Sequence, residues 1–168
     1  AHITATFIPG DKSAYQERFV RWLPRAAAAG LTGVYDAWAA APSEQEAYEI
    51  WHSISESGEL SLRIFGSVRE TDSADLIANR FKKFEQNFSS DMVRPEAIKL
   101  AVDGVPEGHT AFLLTPYVDS TNEDFGQPMI SKENLTANVT TYFSRDIPIH
   151  IHAIGGAAAV SYTHLRAH

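Results

Sequence analysis

The 168-residue sequence contains no cysteine. It can therefore form neither a disulfide framework nor a thiolate metal site. Positive charge is also scarce, because 14 lysines and arginines face 21 acidic residues and leave a formal net charge of −7. Nucleic acid and anionic membranes both require clustered positive charge, so neither is expected as a partner. No apolar run approaches the roughly 18 residues that a membrane span needs.

The remaining composition is that of a globular domain with a core of its own. Hydrophobic residues make up 44% of the chain and aromatic residues 11%, both ordinary values. The chain begins with Ala1-His2 rather than methionine and carries no signal-peptide pattern. We therefore expect the true start to lie upstream. The sequence names no compartment, and a cytoplasmic location is the default expectation.

Helix-like and strand-like segments alternate along the chain. Helices are predicted over Ser13 to Ala29, Ser43 to Ser57, Ser73 to Phe88 and Ser131 to Arg145, and strands over Leu31 to Trp38, Leu60 to Val68, Ala97 to Gly104 and Ile147 to Gly155. Strands separated by helices predict right-handed βαβ units and a parallel sheet. The fold class is thus α/β. Four such units fit an open doubly wound sheet or half of a (β/α)8 barrel, and periodicity does not choose between them.

Local signals refine these boundaries. Ser13 with Gln16, and Ser43 with Glu46, each match a capping box at a helix start. Pro24 lies inside the first predicted helix and is expected to kink it or divide it in two. A segment of some 26 residues then follows Gly104, which is too long for a plain connector and predicts a functional or partly structured loop.

Lys99 is the first candidate for chemistry. In AIKLAVDG the alternation places Ile98 and Leu100 on one face of the strand and Lys99 on the other. Both faces of a parallel strand are normally buried, and a buried lysine is costly unless it is neutralised or paired. The alternative is an edge strand whose lysine faces water.

His150 and His152 share one face of the strand in IPIHIHAIGG. Neutral imidazole is the commonest metal ligand, so such a pair can direct two nitrogens at one metal ion. Two histidines are too few for a closed site, and they equally fit a hydrogen-bonded pair. Asp36 and Asp103 end two predicted strands, where parallel α/β folds place their chemistry. Each is a candidate to orient a ligand or act as a base, and Asp36 is equally a cap for its loop.

Three segments together resemble a known family. AAGLTGVYDAW, IKLAVDGVPEGHTAFLLTPYVD and PIHIHAIG are similar to successive strand regions of the amidohydrolase superfamily. Within it they most resemble the long-chain metal-dependent hydrolases that include N-substituted formamide deformylase. The resemblance runs from about Ser13 to Gly155. It implies a distorted (β/α)8 barrel with a small β-sandwich, in which these strands are the second to the fifth.

The resemblance also implies roles for individual residues. Lys99 would be a carboxylated lysine that bridges metal, and His152 would be the fifth-strand metal ligand. His150 matches no required position and would lie behind the ligands. Asp103, the catalytic candidate, matches together with Gly104 a D-G pair that shapes the pocket. The implied cofactor is a divalent metal, expected to be zinc, as one or two ions in the complete protein.

The chain departs from the family pattern in several places. It lacks the first-strand H-x-H, the sixth-strand histidine and the eighth-strand aspartate that serves as general base, and His2 does not replace them. His109 stands where relatives carry arginine, and Gly156 where they carry aspartate. Val160 to His168 resembles translated sequencing adapter, so His164 and His168 are excluded from the site. We expect a partial barrel domain over residues 1–159 and a non-native tail over 160–168.

The function that follows from the resemblance is hydrolysis of a non-peptide C–N bond in a small-molecule amide, formamide or cyclic amide. A fragment that holds so few of the site positions is expected to be inactive by itself. The alternative is a non-catalytic α/β module that binds a small molecule under its long loop. Half a barrel also leaves two open sheet edges, through which a homo-oligomer is expected to be possible.

Overall fold

The computed structural model describes residues 11–38, 43–120 and 123–164. In these ranges helices alternate with four strands, and one short 3-10 turn follows the third strand. In chain order they are α1 (Lys12–Ala28), β1 (Gly33–Asp36), α2 (Glu44–Glu56), β2 (Arg63–Arg69), α3 (Ala74–Phe88), β3 (Val93–Ala101), the 3-10 turn (Pro106–Gly108), α4 (Lys132–Phe143), β4 (Ile149–His152) and α5 (Gly156–Thr163).

The four strands form one parallel sheet in the order β1-β2-β3-β4. Each strand lies beside the one before it, whereas a doubly wound sheet reverses its order at a switch point. The sheet curls so far that side chains of its two outer strands meet: the Tyr35 hydroxyl of β1 lies 3.1 Å from Nδ1 of His150 in β4. The predicted α/β fold is therefore confirmed as four βα units of a partial TIM barrel.

The core lies between the outer face of this sheet and the helices. Apolar residues of β2 and β3 meet the helices at the alternate positions that the sequence predicts. Aromatic rings of α2 and α3 fill the space beneath, with the Tyr48 and Phe84 ring centroids 4.9 Å apart. The most buried members are Tyr48, Trp51, Ile64, Val68, Ile77, Phe81, Ile98, Leu100 and Val102.

A β-bulge in β3 sets which residues point into the barrel. Pro95 pairs with Gly66 and Ala97 with Ser67, so Glu96 has no counterpart in β2. The extra residue shifts the alternation by one place and puts Lys99 opposite Arg69. β3 begins at Val93, four residues before the predicted start. The prediction missed these residues because a proline beside a charged residue resembles a strand boundary.

The start of α1 differs from the prediction. Asp11 is its N-cap and accepts a hydrogen bond from the Ser13 amide at 2.8 Å, so the capping box predicted for Ser13 is wrong. An aspartate two residues ahead supplies a stronger acceptor than the serine hydroxyl. The helix also runs unbroken through Pro24. Leu23 and Ala26 on either side of the proline are buried in the core, and this packing holds the helix together.

Other local predictions are confirmed. The Ser43 hydroxyl accepts from the Glu46 amide at 3.2 Å and donates to the Glu46 carboxylate at 2.7 Å. The long segment after β3 is structured: the Met129 amide donates to the carbonyl of Val102 and the Leu113 amide to that of Phe125.

The end of the chain forms a helix that the sequence analysis did not foresee. The predicted boundary between residues 159 and 160 falls inside α5, and the division into domain and tail stays a prediction. His168 and His2 lie outside the described residues. Within the described ranges, no helix combines the length and the apolar character that crossing a bilayer requires.

Replacing Gly66 by alanine tests the packing of α2 on β2. An added Cβ would overlap the buried Tyr48 hydroxyl and lie 3.1 Å from the Trp51 ring. We expect Gly66→Ala to lower the free energy of unfolding by about 1–3 kcal/mol in urea denaturation. Gly33→Ala is the matched control, because its Cβ meets no atom closer than 3.5 Å. Equal stability of the two variants would contradict this packing.

Candidate metal centre

Lys99 lies on the inner face of the curled sheet, where β3 is paired on both sides. Its neighbours in register are Arg69 of β2 and His150 of β4. The edge-strand alternative is therefore excluded. The side chain is only 7% exposed and makes no hydrogen bond or ion pair with any described residue. Burial lowers the pKa of its amine, which favours the neutral, nucleophilic form.

His152 lies on the same face, in register with Ala101. Its Nε2 is 2.9 Å from the carbonyl oxygen of Gly104. A carbonyl only accepts, so in the neutral ring Nε2 carries the proton and Nδ1 keeps its lone pair. Metal-binding histidines are usually oriented by such a hydrogen bond, donated from the ring nitrogen that does not bind the metal. Nδ1 of His152 is thus the nitrogen available to a metal.

His150 is on this face as well but has a different partner. Its Nδ1 meets the Tyr35 hydroxyl, and the two ring centroids are 5.2 Å apart. Its pKa is lowered by burial and, to a smaller extent, by the positive charge of Lys99 and by His152. Burial likewise raises the pKa of Tyr35. The predicted shared face of His150 and His152 is confirmed. The contact across the sheet to Tyr35 cannot be predicted from strand alternation.

Asp103 ties together the loops that follow β3 and β4. Its Oδ2 accepts from the amides of Phe112 and Gly155, each at 2.8 Å, and its Oδ1 accepts from the amide of Ile154 at 2.9 Å. The side chain is 1% exposed. The geometry shown is that of a residue that shapes the pocket, and a direct catalytic role for Asp103 stays a prediction.

Two cavities share Lys99 and Ala101 as part of their lining. One, of about 530 Å³, also contacts His152, Asp103 and Val105. The other, of about 700 Å³, reaches the loop after β2 and helix α4. Lys99 and His152 therefore face space at the carboxyl ends of the strands, the position at which barrel enzymes bind their substrates.

The larger cavity is lined by a polar residue that the sequence analysis missed. Glu70 directly follows β2, and its Oε1 accepts from the Asn138 amide and, at 2.9 Å, from the Tyr142 hydroxyl. Burial raises its pKa. An acidic residue at a strand end is the signal that selected Asp36 and Asp103, so Glu70 was open to the same inference. Its partners on α4, some 70 residues away, were not.

Two other predicted candidates have local roles. The Asp36 carboxylate accepts a hydrogen bond from the Trp38 amide at 3.0 Å. It therefore caps its loop, which is one of the two roles predicted for it. The His109 ring stacks on Tyr117 at 4.2 Å between centroids and lies 3.1 Å from a carboxylate oxygen of Asp119. His109 thus makes contacts within the long loop.

Comparison with known proteins identifies the family. The family model described as "Amidohydrolase family" matches residues 1–167. The chain belongs to the amidohydrolase family. No curated protein sequence matches it.

Two crystal structures share the amidohydrolase-family fold of this chain. An uncharacterized metal-dependent hydrolase from Pyrococcus horikoshii is 19% identical with a TM-score of 0.72, over 93% of this chain and 30% of that one. A second, from Pyrococcus furiosus, is 16% identical with a TM-score of 0.74, over 99% of this chain and 34% of that one. At such identities the likeness shows the fold alone. The chain spans about a third of the length of these hydrolases.

The donor set fits part of a metal site. Among the described residues, no group of three or more histidines and carboxylates comes close enough together to hold a metal ion. Lys99 and His152 offer a nucleophilic amine and an imidazole lone pair on adjacent strands. A metal held by these two groups would need further ligands from outside the described residues.

Replacing Asp103 by asparagine tests its hold on the loops. An amide nitrogen would face at least one backbone N–H that now meets an oxygen, and the charge would be lost. We expect Asp103→Asn to lower the free energy of unfolding by about 2–3 kcal/mol. The exposed Asp91→Asn, measured in the same urea titration, should change it by less than about 0.5 kcal/mol. If Asp103→Asn lowers the free energy of unfolding no more than Asp91→Asn does, Asp103 does not hold the two loops together.

The burial of Lys99 predicts a pH dependence of stability. Its folded-state pKa lies below the ordinary value of 10.5, so the unfolded chain binds more protons between those two pH values. Stability relative to Lys99→Met should therefore rise with pH through that window and level off above it. Denaturation in CO2-free buffer at several pH values measures this difference. For the exposed Lys132→Met, the free energy of unfolding should change with pH in parallel with that of the wild type. If Lys99→Met also runs parallel to the wild type, the prediction is contradicted.

Proposed function

We propose that this chain is part of a metal-dependent amidohydrolase that hydrolyses a non-peptide C–N bond in an amide, formamide or cyclic amide. The observation that carries the proposal is the buried Lys99 without a partner, on the same face of adjacent strands as His152. A lysine in this position costs stability and contributes no packing that an apolar side chain would not provide better. Chemistry at the amine accounts for its presence.

Carboxylation of Lys99 is the chemistry we propose. The neutral amine attacks CO2, loses a proton and becomes a carbamate, which puts an anion with two oxygen ligands in place of an unpaired amine. A divalent metal, for which we propose zinc, would be held by this carbamate and Nδ1 of His152, and it would supply polarisation of the substrate carbonyl and a water of lowered pKa.

The chain's own residues prepare this centre. Gly104 holds the His152 ring through Nε2, so that Nδ1 is directed away from the carbonyl. Asp103 fixes the loops on either side of both residues. In the reaction, water adds to the carbonyl carbon, the C–N bond breaks and the amine leaves with a proton. The group that carries that proton, an aspartate by family resemblance, is proposed to lie beyond this chain.

Cobalt binding tests the two ligands. We expect the purified chain, titrated with Co²⁺ in bicarbonate buffer, to bind the ion in a way that Lys99→Ala and His152→Ala each weaken by at least about tenfold. His109→Ala and exposed Lys83→Ala are the controls and should leave the affinity unchanged. Native mass spectrometry should show a gain of about 44 Da, one CO2, that Lys99→Ala abolishes.

The outcomes separate the possible functions. Equal cobalt affinity in all variants, with no CO2 adduct, would reject the metal centre and favour the non-catalytic binding module. We also expect the chain with zinc to hydrolyse no N-formyl amine above the Lys99→Ala background. Turnover above that background would show that the chain holds a complete site.

A further inference from the structure

Trp38 is an exposed aromatic residue beside the proposed centre. It follows β1 by two residues, and its amide is fixed by Asp36. Its indole is 49% exposed and lines both cavities that contain Lys99. Met129, which is 63% exposed, lines both as well. Two large apolar side chains are therefore exposed to solvent in the cavities that Lys99 lines.

The indole of Trp38 lies beside an ion-pair cluster centred on Glu44. The guanidinium of Arg69 lies 5.6 Å from the centroid of the Trp38 ring, within the range of a cation–π contact. Nε of Arg69 lies 3.8 Å from Oε1 of Glu44, and Nε of Arg80 lies 3.3 Å from Oε2 of the same carboxylate. Glu44 is only 7% exposed. The cation–π contact with Arg69 favours this position of the exposed indole.

The smaller cavity is suited to an uncharged apolar group. Besides Trp38 and Met129, its walls include Ala37, Ala101 and Val105. Both oxygens of Asp103 already accept backbone N–H groups, so this carboxylate is engaged with the loops. Lys99 and His152, the proposed metal ligands, are the other titratable groups among the described residues that line the cavity. Its volume of about 530 Å³ accommodates a ring of phenyl size.

We propose that Trp38 is a specificity-determining residue whose indole, with Met129, packs against an uncharged apolar substituent of the amide substrate. This inference rests on the proposed function, because Lys99 and His152 define where the amide lies. The substrate class that follows is a neutral amide carrying an aryl or bulky alkyl group. The polar cavity on the other side, with Glu70 and Asn138, suits the hydrogen-bonding part of the molecule.

Fluorine NMR on the chain labelled with 5-fluorotryptophan tests this directly. The three tryptophans give three signals, and Trp38→Phe assigns one of them. Titration with acetanilide should shift the Trp38 signal saturably and leave Trp22 and Trp51, which line a separate cavity, unmoved. N-Methylacetamide has the same amide without the ring and should shift none of the three at equal concentration.

Variants give the inference its sharpest check. Met129→Ala should weaken acetanilide binding by at least about threefold, whereas Leu114→Ala, equally exposed but outside both cavities, should not change it. Arg69→Gln should also weaken it, with unchanged Trp22 and Trp51 signals as the check on folding. Equal responses to the two amides, or an unaltered affinity in Met129→Ala, would overturn the inference.

The result is independent of the metal experiment. If cobalt binding depends on Lys99 while acetanilide leaves Trp38 unmoved, this inference fails and the proposed function stands. If Trp38 responds to acetanilide but no variant alters cobalt binding, the proposed function fails instead.

Discussion

The candidate site depends on one buried carboxylate. Asp103 binds three backbone amides and so joins the loop after β3 to the loop after β4. A carboxylate without these donors would be costly in the interior, and three charge-assisted hydrogen bonds offset that cost. Because Gly104 follows directly, the same attachment places its carbonyl against His152. Gly155 permits the approach, since a Cβ there would overlap the Phe112 carbonyl.

The second constraint is the phase of β3. Glu96 adds one residue to the strand and thereby turns Lys99 toward the inside of the barrel, where Arg69 and His150 are its neighbours in register. Neither neighbour carries a negative charge, so the largely buried Lys99 side chain has no carboxylate beside it in register. A lysine in these surroundings, with its lowered pKa, fits the carboxylation that we propose.

Local patterns predicted much of this architecture. The alternation in β3 and β4 correctly put Lys99 opposite Ile98 and Leu100 and put His150 and His152 on one face. The capping box at Ser43 correctly began α2. Both patterns depend on residues close in sequence. The contact between Tyr35 and His150, 115 residues apart, depends on how far the sheet curls. The bulge at Glu96 was equally hidden, since a proline beside a charge also marks strand ends.

The curl of the sheet is set by a contact between its two outer strands. Tyr35 and His150 come from the two outer strands, yet their side chains meet across the inner face of the sheet. The four strands therefore have the curvature of a barrel. That curvature and the Asp103 attachment fix the inner faces of β3 and β4, and so position Lys99 and His152 for the metal centre that we propose. The rest of a complete enzyme would then add ligands and a proton carrier to a centre already shaped, which is why cobalt binding can be sought in the chain alone while catalysis is not expected of it.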